Sequence, residues 1–221
     1  MYSTAAMVLV NGFANCWTCW TLTTAMELVD PYRIPGISRS THVLVIMHSL
    51  RCCQIFADWL QFIGIDIFDR HITGLQQFHK LPWDLNTSLL NAPGEYVNRE
   101  RFNMINSRFL TDGINKDRWE PLIREYKLLL KPGGWLQMVE VRWRFLSRSD
   151  KALPNLTAWS DEYMNALSSM KKDPKIIARL EQLVRFAGFE GVEGRTCNIP
   201  VGNWRPGSCF ARVGHERPSA D

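Results

Sequence analysis

The stretch that most constrains the fold of this chain is residues 102–143, FNMINSRFLTDGINKDRWEPLIREYKLLLKPGGWLQMVEVRW. Residues 102–106 are a short apolar run suited to a buried strand. A polar crossing, 107–116, follows, with Gly113 as a breaker. Trp119, Leu122, Ile123, Tyr126, Leu129 and Leu130 then recur at the spacing of one apolar helix face, with Glu120, Arg124, Glu125 and Lys127 on the other. Asp117 is the expected N-cap, and Pro121 fits the first turn. Lys131-Pro132-Gly133-Gly134 should end the helix, because proline cannot continue it and glycine accepts positive φ. Residues 135–141 then resume as a strand rich in apolar and aromatic side chains. Strand, crossover helix, strand predicts two neighbouring parallel strands.

The same alternation begins earlier. Residues 42–46 are the first strand candidate, residues 49–61 carry helical spacing at Leu50, Cys53, Ala57 and Leu60, and residues 62–66 form a second strand ending in Asp66. Strand, helix, strand and acid is the layout of a nucleotide-binding unit, in which the acid accepts from ribose hydroxyls. A solvent-facing turn aspartate is the alternative. A helix is expected around Leu156, Trp159, Tyr163 and Leu167, and another behind Asp173-Pro174, stopped by Gly188.

With 221 residues, the chain suits one α/β domain with a full core. The expected divisions are a poorly specified segment at 1–41, the domain at 42–214 and a disordered tail at 215–221. A net charge of +4, dispersed without a basic run, argues against a nucleic-acid partner. The six cysteines include Cys16-Trp17-Thr18-Cys19, but no second pair or close histidines complete a metal set, so no metal and a reduced chain are expected. Residues 1–26 lack any charge, which raises a membrane segment or signal peptide. Polar interruptions and the lack of a preceding Lys or Arg point instead to a tail or a partly buried helix.

FNMINSRFL, then RW, then LLLKPGGWLQMVE resembles the second half of the class I S-adenosylmethionine-dependent methyltransferases, and among them the fungal LaeA-like group associated with secondary metabolism. The specific part is a helix ending in KPGGWLQ directly after a strand ending in Asn-Ser-Arg, and the resemblance covers residues 43–205. It implies a Rossmann-like fold: a mostly parallel seven-stranded sheet with helices on both faces, its last strand antiparallel. By the same resemblance, AGFEGVEGR at 187–195 is the closing antiparallel hairpin.

The resemblance implies S-adenosylmethionine as the cofactor, with Asp66 on its ribose, Asp84 on the adenine amine and Trp83 covering the base. Asp84 also suits an Asx turn, since Trp-Asp-Leu-Asn-Thr is good turn chemistry. Asn106, Ser107 and Arg108 follow the fourth strand and should face cofactor or substrate, with Glu140 a further substrate-side candidate; Arg108 serves equally well as a structural ion-pair partner. Trp159, Tyr163 and Trp204 suit either a substrate lid or the core.

One departure from the family is large. The first strand should run into a loop with repeated glycines, which let backbone approach the methionine end of the cofactor. This chain has Met47-His48-Ser49-Leu50-Arg51 there and no glycine between Ile37 and Ile63. An incomplete N-terminal part, lost cofactor binding and an altered binding mode each account for it.

The leading expectation is therefore a methyltransferase acting on a small-molecule O or N acceptor in secondary metabolism or its regulation, cytoplasmic or nuclear, with no general base assigned. A binding or regulatory module built on the same scaffold, with a protein partner, is the second reading. A nicotinamide-dependent oxidoreductase is the third, and it needs the same missing glycines.

Overall fold

The computed structural model describes residues 2–10, 42–47, 61–67 and 78–200, save Arg148 and Asp150. Seven strands form one sheet: β1 (Tyr2–Val10), β2 (His42–Met47), β3 (Gln61–Asp66), β4 (Phe78–Pro82), β5 (Phe102–Arg108), β6 (Leu130–Leu146) and β7 (Val192–Pro200). Three α-helices accompany them: α1 (Trp119–Leu129), α2 (Pro154–Ser169) and α3 (Ile177–Phe186). The order across the sheet is β4-β3-β2-β5-β6-β1-β7. Neighbours from β4 to β6 are parallel, and β1 pairs antiparallel with both β6 and β7. The expected parallel pairing of the strands around 102–106 and 135–141 is present, with Met104 opposite Trp135 and Arg108 opposite Val139.

In β3, Phe62, Ile63 and Ile65 are all buried although successive side chains leave opposite faces. A continuous apolar run of this kind marks a parallel strand covered on both faces. One cover is α1, whose Trp119, Leu122, Ile123, Tyr126 and Leu129 are at most 1% exposed. Helix α3 packs beside it and closes the core with Ile176, Leu180 and Val184. Gly188, at φ +84°, stops α3 as the sequence predicts. The helix expected at 49–61 lies outside the described residues apart from Gln61, which opens β3.

Several expectations are corrected. The strand running against the others is β1, the first in the chain, rather than the last, and 187–195 makes no hairpin. Gly188 and Gly191, both at positive φ, turn the chain from α3 directly into β7, whose partner is β1. The start of the uncharged segment is thus a strand inside the sheet, where a stretch without charges meets no desolvation cost.

Asp117 does not cap α1. Arg118 occupies the cap position with helical φ and ψ, after a turn closed by its N–H on Asn115 O at 3.0 Å. Glu125 is buried rather than solvated. Asp173 opens a turn through Lys175 N, and the helix proper starts at Ile177.

The KPGG turn is a bulge inside β6. Phe102 faces Leu130 whereas Met104 faces Trp135, so the turn is extruded between two paired stretches. Its two glycines are needed for different reasons. Gly133 sits at φ +75°. A Cβ on Gly134 would lie 2.9 Å from Lys131 O and 3.3 Å from Asn103 O, both backbone atoms.

Candidate functional site

The chain leaves β2 toward β3 and β4 on one side, then returns to β5 and β6 on the other. The reversal falls between β2 and β5, and in open parallel sheets ligands occupy the crevice outside the carboxyl ends of the strands at that point. Here the flanking residues are Met47 and Arg108, directly paired across the reversal.

Asp66 ends β3 opposite Pro82, and its carbonyl accepts from Trp83 N at 3.1 Å. The acid and the indole expected at the cofactor therefore stand together at the same edge, each half-buried. The buried Trp83 Nε1 has no hydrogen-bond partner among the described residues. Asp84 is exposed and forms an Asx turn: its Oδ1 accepts from Asn86 N at 2.9 Å and Asn86 Nδ2 at 3.0 Å.

Asn106, Ser107 and Arg108 are buried residues of β5 itself rather than of a loop after it, so alternation sends them to different faces. Asn106 pairs with Gln137 on β6 through its Nδ2, while its buried Oδ1 has no hydrogen-bond partner among the described residues. Ser107 faces α1, accepting from Tyr126 Oη at 3.3 Å, and is fully buried there. Burial under the helix also drives the Tyr126 phenol far above its ordinary pKa. Ser107 is thus joined to the core side and not to the crevice. Arg108 lies over the Phe109 ring, 5.3 Å from its centroid.

Glu140 is fully buried and engaged with the segment after β5. Its Oε1 accepts from Leu110 N at 2.9 Å, and its Oε2 from Thr111 N at 3.1 Å and Thr111 Oγ1 at 2.7 Å. Burial pushes its carboxyl up to about 7, against the opposing pull of those donors. It pins the segment that leaves β5, which begins with Phe109 at φ +55°.

Sequence reasoning missed the network that holds the turn after β4. Arg118 donates to Leu85 O and Thr87 O, both at 2.8 Å, and pairs with Glu125 at 2.5 Å. Glu125 in turn accepts from Ser88 Oγ and Leu89 N at 2.9 Å each. The available signal was the seven-residue spacing of Arg118 and Glu125, which puts both on one helix face beside the core stripe. Asn86 bridges the two crevice loops, donating to Gly113 O at 3.1 Å and accepting from Asn115 N at 2.8 Å. Lys172 reaches the same loop at Gly113 O and Asn115 Oδ1.

Trp159 is not a core residue: it is 45% exposed and stacks on Tyr163, with centroids 5.3 Å apart and planes at 6°. Trp143 meets both rings edge-on, and Tyr163 Oη donates to Asp112 at 2.7 Å. Trp204 and the side chains of the six cysteines lie outside the described residues, among which no group of possible metal ligands is found. No helix of the described residues is long and apolar enough to cross a membrane.

No family model matches the chain. Over 113 residues it is 28% identical to a protein named methyltransferase pytC from Aspergillus terreus, covering 50% of this chain and 34% of that protein. Over 114 residues it is 27% identical to the secondary metabolism regulator LAE1 of Pyricularia oryzae, covering 50% of this chain and 34% of that protein. The chain thus spans about a third of the length of the curated relatives it matches. Among solved structures, a phosphoethanolamine N-methyltransferase of Haemonchus contortus in complex with S-adenosyl-L-methionine aligns with a TM-score of 0.45 at 16% identity, covering 74% of this chain and 36% of that one. A SAM-dependent methyltransferase of Aquifex aeolicus aligns with a TM-score of 0.43 at 13% identity, covering 80% and 93%. At such scores the architecture rests on the strand order and pairing of the chain itself.

Proposed function

We propose that this chain is the methyl-transferring domain, or part of one, of a fungal secondary-metabolism methyltransferase, with S-adenosylmethionine as donor and a small molecule as acceptor. The observation that carries this reading is the meeting of Asp66 and Trp83 at the carboxyl edge of β3 and β4, beside the strand-order reversal. The sequence likeness to pytC and LAE1 supports it independently.

The residues at the edge fit the nucleoside end of such a donor. The Asp66 carboxylate suits the ribose hydroxyls, and the Trp83 ring suits the adenine face. The unused acceptor Asn106 Oδ1 suits a donor group of the ligand. A donor held by Asp66 and Trp83 would supply an electrophilic sulfonium methyl, which the acceptor's lone pair would take as the carbon–sulfur electron pair stayed on sulfur. Any proton on the acceptor leaves to solvent or a base. The chain's own contribution is positioning, and Glu140, Arg118 and Asn86 provide it by fixing the two loops that border the crevice.

Asp84 is engaged in its Asx turn and Ser107 with Tyr126, so this reading gives the donor contacts to Asp66, Trp83 and Asn106. Arg108, buried against Phe109, stays a candidate on the acceptor side.

One observation favours a second reading, a non-catalytic binding module. The sequence that follows β2 reads Met47-His48-Ser49-Leu50 where glycines would let backbone approach the donor. Calorimetric titration of the chain with S-adenosylhomocysteine separates the two. Saturable binding that weakens in Asp66→Ala upholds the methyltransferase reading, whereas no heat at millimolar ligand leaves the module. In the second case a chimera with a Gly-x-Gly-x-Gly loop in place of 47–51 should recover binding if the rest of the crevice is intact.

A further inference from the structure

β6 continues past its last pairing with β5, at Arg108 and Val139, so residues 142–147 overhang the carboxyl edge of the parallel sheet. Between this overhang, α2 and the start of α3 lies a cavity of about 880 Å³. That size lies within the range of small-molecule sites. Its α2 wall is fastened to the crevice, because Tyr163 on α2 holds Asp112 in the loop after β5 at 2.7 Å. That bond ties the helix forming one wall to the loop after β5, while nothing expected of Asp66 or Trp83 uses the cavity.

The lining has two characters. Trp143, Phe145, Met164 and Ile177 supply apolar surface, two of them aromatic. Among the described residues charge is one-sided: Arg142, Arg144, Lys151 and Lys175 stand against a single carboxylate, Asp161. With Arg142 set aside, as it already has an interaction of its own, three cations still face one anion. These cations are exposed and keep their hydration, while Trp143 and Phe145 are half-buried. A ligand that complements both has an apolar body and an anionic group.

We propose that this cavity is the acceptor site and that its ligand is an anionic, apolar-bodied small molecule, carrying a carboxylate or phosphate that Arg144 and Lys175 meet. The acceptor role rests on the methyltransferase reading above; the ligand class does not.

The test uses the full chain and three probes that share one ring system: 1-naphthoate, 1-naphthyl phosphate and 1-naphthylmethylammonium. Calorimetry should find the anions bound at least about tenfold more tightly than the cation, a difference of about one decade in Kd. Whichever anion binds better identifies the acidic group. The double variant Arg144→Gln, Lys175→Gln, at two exposed positions, should lose about tenfold affinity for the anions. It should leave S-adenosylhomocysteine binding unchanged. Equal affinity for all three probes, or anion binding unmoved in the double variant, overturns the proposal. An acidic peptide that binds where neither naphthyl anion does overturns it in favour of a protein partner. Anion binding lost in the variant but without any donor binding upholds the ligand class and removes the acceptor role. Donor binding without anion binding leaves the methyltransferase reading standing and removes this one.

Discussion

The two sides of the β5–β6 ribbon treat their polar groups in opposite ways. On the α1 side the two buried glutamates are both engaged. Glu125 holds Arg118, Ser88 and Leu89, and Glu140 holds Leu110 and Thr111. On the other side and at the adjoining strand ends, Asn106 Oδ1 and Trp83 Nε1 are buried without a hydrogen-bond partner among the described residues, and Asp66 remains half-exposed. Groups that resemble one another on paper therefore do different work. The helix-side acids act as internal caps for loop backbone, whereas Asn106 Oδ1 and Trp83 Nε1 take no part in such caps. Donors offset part of a buried carboxylate's desolvation, and both buried glutamates meet backbone N–H groups.

The comparison breaks most severely at Glu125. In Glu125→Ala the buried Arg118 loses its counter-charge and Leu89 N its acceptor, so unfolding free energy should fall by about 3–5 kcal/mol. Urea denaturation measures this, and a loss below 1 kcal/mol would show that the network is ornamental.

Glu140 gives the next largest effect, and it depends on pH. Its folded pKa, raised from 4.5 to about 7, means that the native state holds the proton more tightly than the unfolded chain. Stability from this group is complete below pH 4.5 and declines as pH rises toward 7, by up to about 3 kcal/mol. In Glu140→Gln that part of the slope should vanish, so the difference between wild type and variant should change across this window in denaturation series. Parallel profiles for the two proteins would remove the assignment.

At the strand ends the expected change lies in binding. Asp66→Ala should weaken donor affinity about tenfold, the worth of charge-assisted bonds to ribose hydroxyls, with little effect on unfolding. A destabilised protein with unchanged affinity would move Asp66 to the framework class. The smallest effect is expected for Tyr163→Phe, which removes the bond to Asp112 at an exposed position and should cost about 1 kcal/mol or less. Hydrogen exchange at residues 109–113 would register it as faster opening of the loop after β5.

Much of this was legible in sequence because it is local. The α1 stripe, the stop at Gly188, the KPGG break and the acid ending β3 follow from periodicity and from backbone rules acting within a few residues. Glu125 was misread because position on a helical wheel shows only angle. It lies beside the apolar stripe, and whether that angle meets water or the 85–89 turn depends on a segment 36 residues away.

Asp84 shows the converse. Its turn chemistry and its ligand chemistry were both written in Trp-Asp-Leu-Asn-Thr, and the fold chose the turn by bringing Asn86 to Gly113 and Asn115.

The sequence by itself determined the alternation of strand and helix, the parallel pair β5–β6 and the acid at the end of β3, since each depends on side-chain period and short-range backbone geometry. Only the tertiary structure decided which strand runs against the rest. Nothing in Tyr2–Val10 encodes that it lies between β6 and β7, because pairing across more than 120 residues is set by the open strand edges it finds, not by its own pattern. The same holds for the faces of Asn106 and Ser107. Adjacent in sequence, they part to opposite faces of the sheet, toward Gln137 and toward Tyr126 of α1, because β5 runs on through both.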